Sequence, residues 1–188
     1  GKTGNLLLDP DNIVIASGSG STTASGAVTT TTIFETTLEA VSGTTNIELL
    51  ATDSILMNDL SDNLLNLQQG NGHSATFTVT NGKIEFAGGN DKISTQGGSI
   101  NFNATGDLTL ADLNSNGGNI SLTGEDLLLV GDLDSGTGNI NITHHDGGSI
   151  GLGGTTTCGS SCNMNINGTE LSQMSGNKLI IGGTTNGD

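Results

Sequence analysis

The sequence predicts an all-β fold wound as a parallel β-helix, on three observations. First, residues 97–116, GGSINFNATGDLTLADLNSN, return twenty positions on as GGNISLTGEDLLLVGDLDSG. A repeat of this length means stacked units, none of which buries its own apolar face. Second, Ile100-Asn101-Phe102 and Leu108-Thr109-Leu110 alternate apolar and polar residues, which is strand periodicity. Third, Gly97-Gly98 and Gly106-Asp107 punctuate those strands with residues that supply turn dihedrals. Each unit is thus two or three short strands joined by tight corners, and each strand pairs with its equivalent one coil away, at about 4.8 Å.

The spacing of twenty predicts inward columns. Ile100, Ile120 and Ile140 form one, and Leu110, Val130 and Ile150 another. The full inward set is Ile100, Phe102, Leu108, Leu110, Leu113, Ile120, Leu122, Leu128, Val130, Leu133, Ile140, Ile142 and Ile150. An earlier copy occupies residues 44–63, where Ile47, Leu49, Ile55, Met57, Asp59 and Leu60 precede their counterparts by 53 positions.

In chain order, GNLLLDPDNIVI at 4–15 reads as strand, turn, strand about Asp9-Pro10. Residues 16–32 are nearly all Ser, Gly, Thr and Ala and read as a low-complexity inserted loop. Phe34, Leu38 and Val41 fall at helical spacing, so a short helix is expected over 33–42. Irregular coils follow over 64–96, carrying Leu65, Leu67, Phe77, Val79, Ile84, Phe86 and Ile93, and regular coils run from 97 to about 153. Residues 154–162 form a second inserted loop, and strands resume at 164–166 and 179–181. Residues 1–188 thus read as one domain, a slice of a longer solenoid.

Composition narrows the function classes. Four Lys and no Arg stand against 19 acidic residues, a net charge of −15. Such a surface repels nucleic acid and anionic lipid and suits a soluble extracellular chain or a cation binder. No apolar run is long enough for a membrane-spanning helix. The chain starts at Gly1 without a signal peptide and reads as an internal or processed fragment.

GNLLLDPDNIVI, the helix containing Leu38-Glu39-Ala40, TNIELLATDSILMNDLSD and TELSQMSGNKLIIGGTTNGD form a set. Together these stretches resemble the filamentous-haemagglutinin-type secreted proteins of Gram-negative bacteria, the cyanobacterial members above all. The resemblance implies a right-handed parallel β-helix, export through a dedicated outer-membrane partner, and a role in adhesion or the surface matrix. That family's secretion domain carries Asn-Pro motifs. This sequence has no Asn-Pro pair, so that domain is expected to be absent from it.

Candidate chemical sites are few. Cys158 and Cys162 are the only cysteines, and in an exported chain a local disulfide closing the loop is the natural reading. The alternatives are two free thiols, or a metal site with His144 or His145. Adjacent strand histidines point to opposite faces, so at most one could join. Asp112 and Asp132 occupy equivalent places in adjacent coils, with Asp59 in the same place of the earlier copy. Stacked like charges are unfavourable, and calcium bridging would relieve them. The competing reading is that each Asp caps a solvated corner. Gly88-Gly89-Asn90-Asp91 resembles one calcium-binding nonapeptide repeat, in a single copy.

Catalysis has little support in the residues. Lyases acting on uronates need cations, and sugar hydrolases need paired carboxylates. Sugar sites usually add aromatic platforms, and this chain has no Trp or Tyr. Asn103, Asn119, Asn141 and Asn167 begin glycosylation sequons, as an Asn/Thr-rich composition produces unaided. An ice-ordering face needs regular Thr columns, whereas the Thr runs at 29–32 and 155–157 fall in predicted loops. The expected function is a non-catalytic structural module of a surface adhesin or matrix fibre, without cofactor, stacking end to end through open strand edges. The alternative is a receptor- or glycan-binding module whose specificity lies in the inserted loops.

Overall fold

The computed structural model describes residues 4–8, 10–21, 23–25, 29–153 and 162–182. It is an all-β fold of parallel sheets with two one-turn helices. Strands β1 (Gly4–Leu8) and β2 (Asn12–Ala16) flank Pro10. Strands β3 (Thr23–Ser25) and β4 (Thr30–Phe34) follow, then helix α1 (Glu35–Glu39). From there the chain visits three sheets in turn, and does so four times.

The first circuit is β5 (Thr45–Ala51), β6 (Ser54–Met57) and β7 (Leu64–Gly70). The second is β8 (Ser74–Val79), β9 (Lys83–Phe86) and β10 (Lys92–Gln96). The third is β11 (Ser99–Ala104), β12 (Leu108–Leu110) and β13 (Asp112–Asn114). The fourth is β14 (Ile120–Gly124), β15 (Leu127–Leu129) and β16 (Leu133–Asp134). Then come β17 (Asn139–His144), the pair β18 (Ile150–Leu152) and β19 (Met164–Ile166), helix α2 (Gly168–Ser172), β20 (Met174–Ser175) and β21 (Lys178–Ile181).

Sheet A runs β1-β5-β8-β11-β14-β17-β21, sheet B runs β15-β12-β9-β6-β2-β4-β3, and sheet C runs β20-β16-β13-β10-β7. Burial follows the alternation in sequence, because successive side chains on a strand face opposite sides. Ile100, Leu108 and Leu113, one from each sheet, are all buried in a single apolar cluster. Every apolar residue singled out in the irregular coils, from Leu65 to Ile93, is buried there too. Phe77 and Phe102 are register partners and stack with ring centroids 4.7 Å apart.

The corner into sheet A is specified by a buried hydroxyl. Thr95, Ser115 and Ser135 are fully buried and donate to the carbonyls of Gly98, Gly118 and Gly138, three residues on in each case. The glycines stack so closely that a Cβ on Gly138 would lie 2.0 Å from the Gly118 carbonyl oxygen. Only glycine fits there.

Four expectations need correction. Leu128 and Val130 face solvent, 56% and 51% exposed, while Leu127 and Leu129 are buried. Leu108 pairs with Leu127 and Leu110 with Leu129, a step of nineteen. The corner before β15 is one residue shorter than its counterpart before β12, and the corner after it one residue longer. Leu113 therefore pairs with Leu133 at twenty again. Ile150 is half-buried and lies in β18, which pairs with β19 rather than with β15, so it joins no column with Leu110.

The helix expected over 33–42 is one turn, Glu35–Glu39; Ile33 and Phe34 end a strand, and within the helix Leu38 and Glu35 are buried, Leu38 being the apolar contact with the core. Within the expected loop 16–32, β4 pairs in parallel with β2, and β3 pairs antiparallel with β4. The last correction concerns the early copy, which keeps register through sheets A and B and parts in sheet C. There the register partner of Asp112 is Lys92, and that of Lys92 is Leu64. Extra residues between Met57 and Leu65 carry Asp59 out of that column.

Candidate functional site

Asp112 begins β13, Asp132 immediately precedes its parallel neighbour β16, and their chemistry is local. Asp112 Oδ1 accepts the backbone N–H of Asp132 at 2.8 Å. A groove of about 160 Å³ beside them is lined by Lys92, Asp112, Leu113, Asn114, Asp132 and Asp134. Lys92 thus supplies a cation to the column, and Asp134 Oδ1 accepts the Gly136 N–H within its own turn. Among the described residues, no three or more His, Cys, Asp or Glu side chains form a group fit to hold a metal ion. Cys158 lies outside the described residues, as does most of the loop 154–162, while Cys162 is not a free thiol.

The two histidines do not point apart. His144 ends β17 and is buried, and His145 follows the strand's end, where alternation no longer applies. Their rings stack with centroids 5.1 Å apart. Both Nε2 atoms face Glu125 Oε2, at 3.3 Å from His144 and 2.9 Å from His145, and His144 Nδ1 lies 2.7 Å from Asp146 Oδ1.

A buried acid was missed by sequence reasoning. Asp91 is fully buried and accepts the Leu60 N–H at 3.2 Å. Burial raises its carboxyl above the usual carboxylate value of 3.8; the Leu60 bond opposes this, and the charges of Asp59, Asp62 and Glu35 add to it. A raised folded-state pKa means that the folded chain holds this proton more tightly than the unfolded chain. The stability it contributes is fully present below 3.8 and is lost as the pH rises through the folded value. Asp91 therefore opposes acid unfolding instead of causing it.

A cleft of about 330 Å³ lies between sheet B and the segment around α2, and Asp107, Asp126 and Glu170 line it. Two of these carboxylates serve the backbone. Asp126 Oδ1 accepts from Leu127 N and Asn165 N, both at 3.0 Å. Glu170 is buried; its Oε1 accepts from Leu129 N at 3.1 Å and its Oε2 from Asn167 N at 2.9 Å. Asn167 in turn caps α2 by accepting from Thr169 N and Glu170 N, a reciprocal capping box. These groups hold α2 against the edge of sheet B.

The outer face of sheet A is different in kind. Its central column is Thr76, Asn101, Ser121 and Asn141, in register from β8 to β17. Beside it runs Thr78, Asn103, Thr123 and Thr143. The remaining outward positions of these four strands, Ser74, Ser99 and Asn139, are also uncharged and polar. Charge appears only beyond them, at Glu48 in β5 and Lys178 in β21. Asn101 Nδ2 donates to Thr76 Oγ1 at 3.1 Å, and Asn141 Nδ2 to Ser121 Oγ at 3.4 Å. Along one margin a trough of about 310 Å³ is lined by Thr78, Thr80, Asn103, Thr105, Thr123 and His145, among others. A hydroxyl-bearing face is thus present on strands, away from the Thr runs whose placement in predicted loops argued against one. Its signal was the polar half of Thr76-Phe77-Thr78, Asn101-Phe102-Asn103, Ser121-Leu122-Thr123 and Asn141-Ile142-Thr143. No helix of the described residues is long and apolar enough to cross a membrane. No family model, curated protein or solved structure matches the chain.

Proposed function

We propose that the chain is a non-catalytic structural module of a secreted surface adhesin or extracellular matrix fibre, wound as a right-handed parallel β-helix. The observation that carries this reading is the economy of its polar groups. The buried hydroxyls of Thr95, Ser115 and Ser135 close corners, and the cleft carboxylates of Asp126 and Glu170 bind backbone N–H groups. The repeated A, B, C circuit and its columns of equivalent residues support the helical winding. The sequence resemblance to filamentous-haemagglutinin-type proteins supports right-handedness, export through an outer-membrane partner and a place at the cell surface. The net charge of −15 disfavours nucleic acid as a partner.

The test pairs electron microscopy of the purified chain with an assay for reducing sugar released from polysaccharides. Rods without sugar release are expected. Turnover abolished by Asp107→Asn or Asp126→Asn would establish an enzyme and overturn the proposal, as would globular particles in place of rods.

A further inference from the structure

We propose that the outer face of sheet A is a platform for an extended neutral polysaccharide, laid along the columns with one edge in the trough beside Thr78, Asn103 and Thr123. The proposal rests on the reading of the chain as a surface module and names the ligand class that such a module would hold.

Charge is the first argument. On a chain of net charge −15, the outward positions of β8, β11, β14 and β17 carry no charged side chain. Acidic glycans would meet a repulsive molecule with no cation on these four strands, Lys178 lying one strand beyond them in β21, whereas a neutral glycan meets neither penalty.

Chemistry is the second. Hydroxyl and carboxamide groups each donate and accept, which is what vicinal sugar hydroxyls require. Strands β11 and β17 offer both kinds, and β8 and β14 between and beside them offer hydroxyls, so amides and hydroxyls alternate from strand to strand along the central column.

Geometry is the third. The columns rise by one strand spacing per coil, about 4.8 Å, close to the length of one pyranose residue in an extended chain. Successive sugars can therefore each meet an uncharged hydrogen-bonding side chain, a hydroxyl or an amide in alternation. The trough of about 310 Å³ runs beside Thr78, Asn103 and Thr123, giving the flat face a margin against which a chain can seat. The platform is already ordered. The bonds Asn101–Thr76 and Asn141–Ser121 hold the amides, and the Phe77–Phe102 stack lies directly beneath. Little side-chain entropy remains to be lost on binding.

The same features argue against an ice-ordering face. Asn, Ser and Thr reach different heights, and several bond to one another rather than presenting one repeated group. Without an aromatic platform each sugar contact is weak, so affinity comes from many subsites and must grow with chain length.

The experiment is co-sedimentation with insoluble cellulose, chitin and curdlan, compared with acidic pectin, followed by titration with soluble oligosaccharides of increasing length. Asn103→Glu and Thr123→Glu place charge on the face without touching the core, and circular dichroism checks that both remain folded. The expected result is binding to at least one neutral polymer, tighter for longer chains and unchanged by ionic strength. Each variant should weaken it by roughly tenfold or more. No binding to any of the three polymers overturns the platform while leaving the structural-module reading intact. So does binding that both variants retain, or preference for pectin. Thermal hysteresis in freezing solutions, lost in the same variants, would assign the face to ice instead. Release of reducing sugar bears on the non-catalytic reading, because it reports turnover and not the location of binding.

Discussion

Replacing Leu127 with Ala deletes a side chain only 2% exposed, whereas Leu128, its neighbour, is 56% exposed. Burial predicts a cost of about 2–4 kcal/mol for Leu127→Ala, against a change within about 0.5 kcal/mol for Leu128→Ala. Urea denaturation of the two variants checks this. The reverse order would restore the uniform step of twenty. The sequence is blind here for a physical reason. In the run Leu127-Leu128-Leu129-Val130, either phase presents two large apolar side chains to the core, so hydrophobic alternation cannot choose between them. The connection into β15 is one residue shorter than that into β12, and within it Asp126 accepts from Leu127 N and Asn165 N, which holds Leu127 at the start of the strand. Asp91 was hidden differently: nothing in Gly88-Gly89-Asn90-Asp91 reports that the Leu60 N–H comes from 31 residues away to meet its carboxylate.

Both helices place an acidic side chain on a sheet edge. In α1, Glu39 Oε1 accepts the N–H of Asn66 in β7, the edge strand of sheet C, at 2.8 Å. In α2, Glu170 Oε1 does the same for Leu129 in β15, the edge strand of sheet B. Each carboxylate supplies the acceptor that a further strand's carbonyl would give. Glu170→Ala should therefore cost about 2–4 kcal/mol, since it strands two backbone donors, and Glu170→Gln should recover about half of it. Equilibrium denaturation with limited proteolysis near α2 measures both, and an alanine variant as stable as wild type would remove the edge-capping role. At this scale the sequence was most legible in sheet A, where Ile100, Ile120 and Ile140 align at a constant twenty. It was least legible where connections change length. One-turn helices leave too few positions for periodicity to locate their ends, and the Ser/Thr/Gly stretch before β4 gives no apolar alternation from which to read β3. The polar face is written in the same strands as the core, at the alternate positions of Thr76, Asn101, Ser121 and Asn141, and the runs of Thr do not report it because its columns do not include them.

The two helices do not treat the three sheets alike. Sheet C is capped at β7 and sheet B at β15, while the outer edges of β1 and β21 in sheet A pair with no strand among the described residues. Leu179 in β21 pairs with Ile140 and so extends the buried column that includes Ile47, yet it is 41% exposed, and no described strand pairs with the far edge of β21. A second copy adding its β1 to this edge would bury Leu179 and continue sheet A in parallel, head to tail, an open contact that generates rods of growing length. The charge of −15 per chain opposes it, so association should strengthen as salt screens the repulsion. Sedimentation velocity across protein concentration, at low and high ionic strength, is the measurement. Wild type is expected to shift toward longer species at high salt. Leu179→Lys, which puts a charge where the next coil would seat, should remain monomeric with its fold unchanged. Identical monomeric sedimentation of both proteins under all conditions would eliminate growth through sheet A.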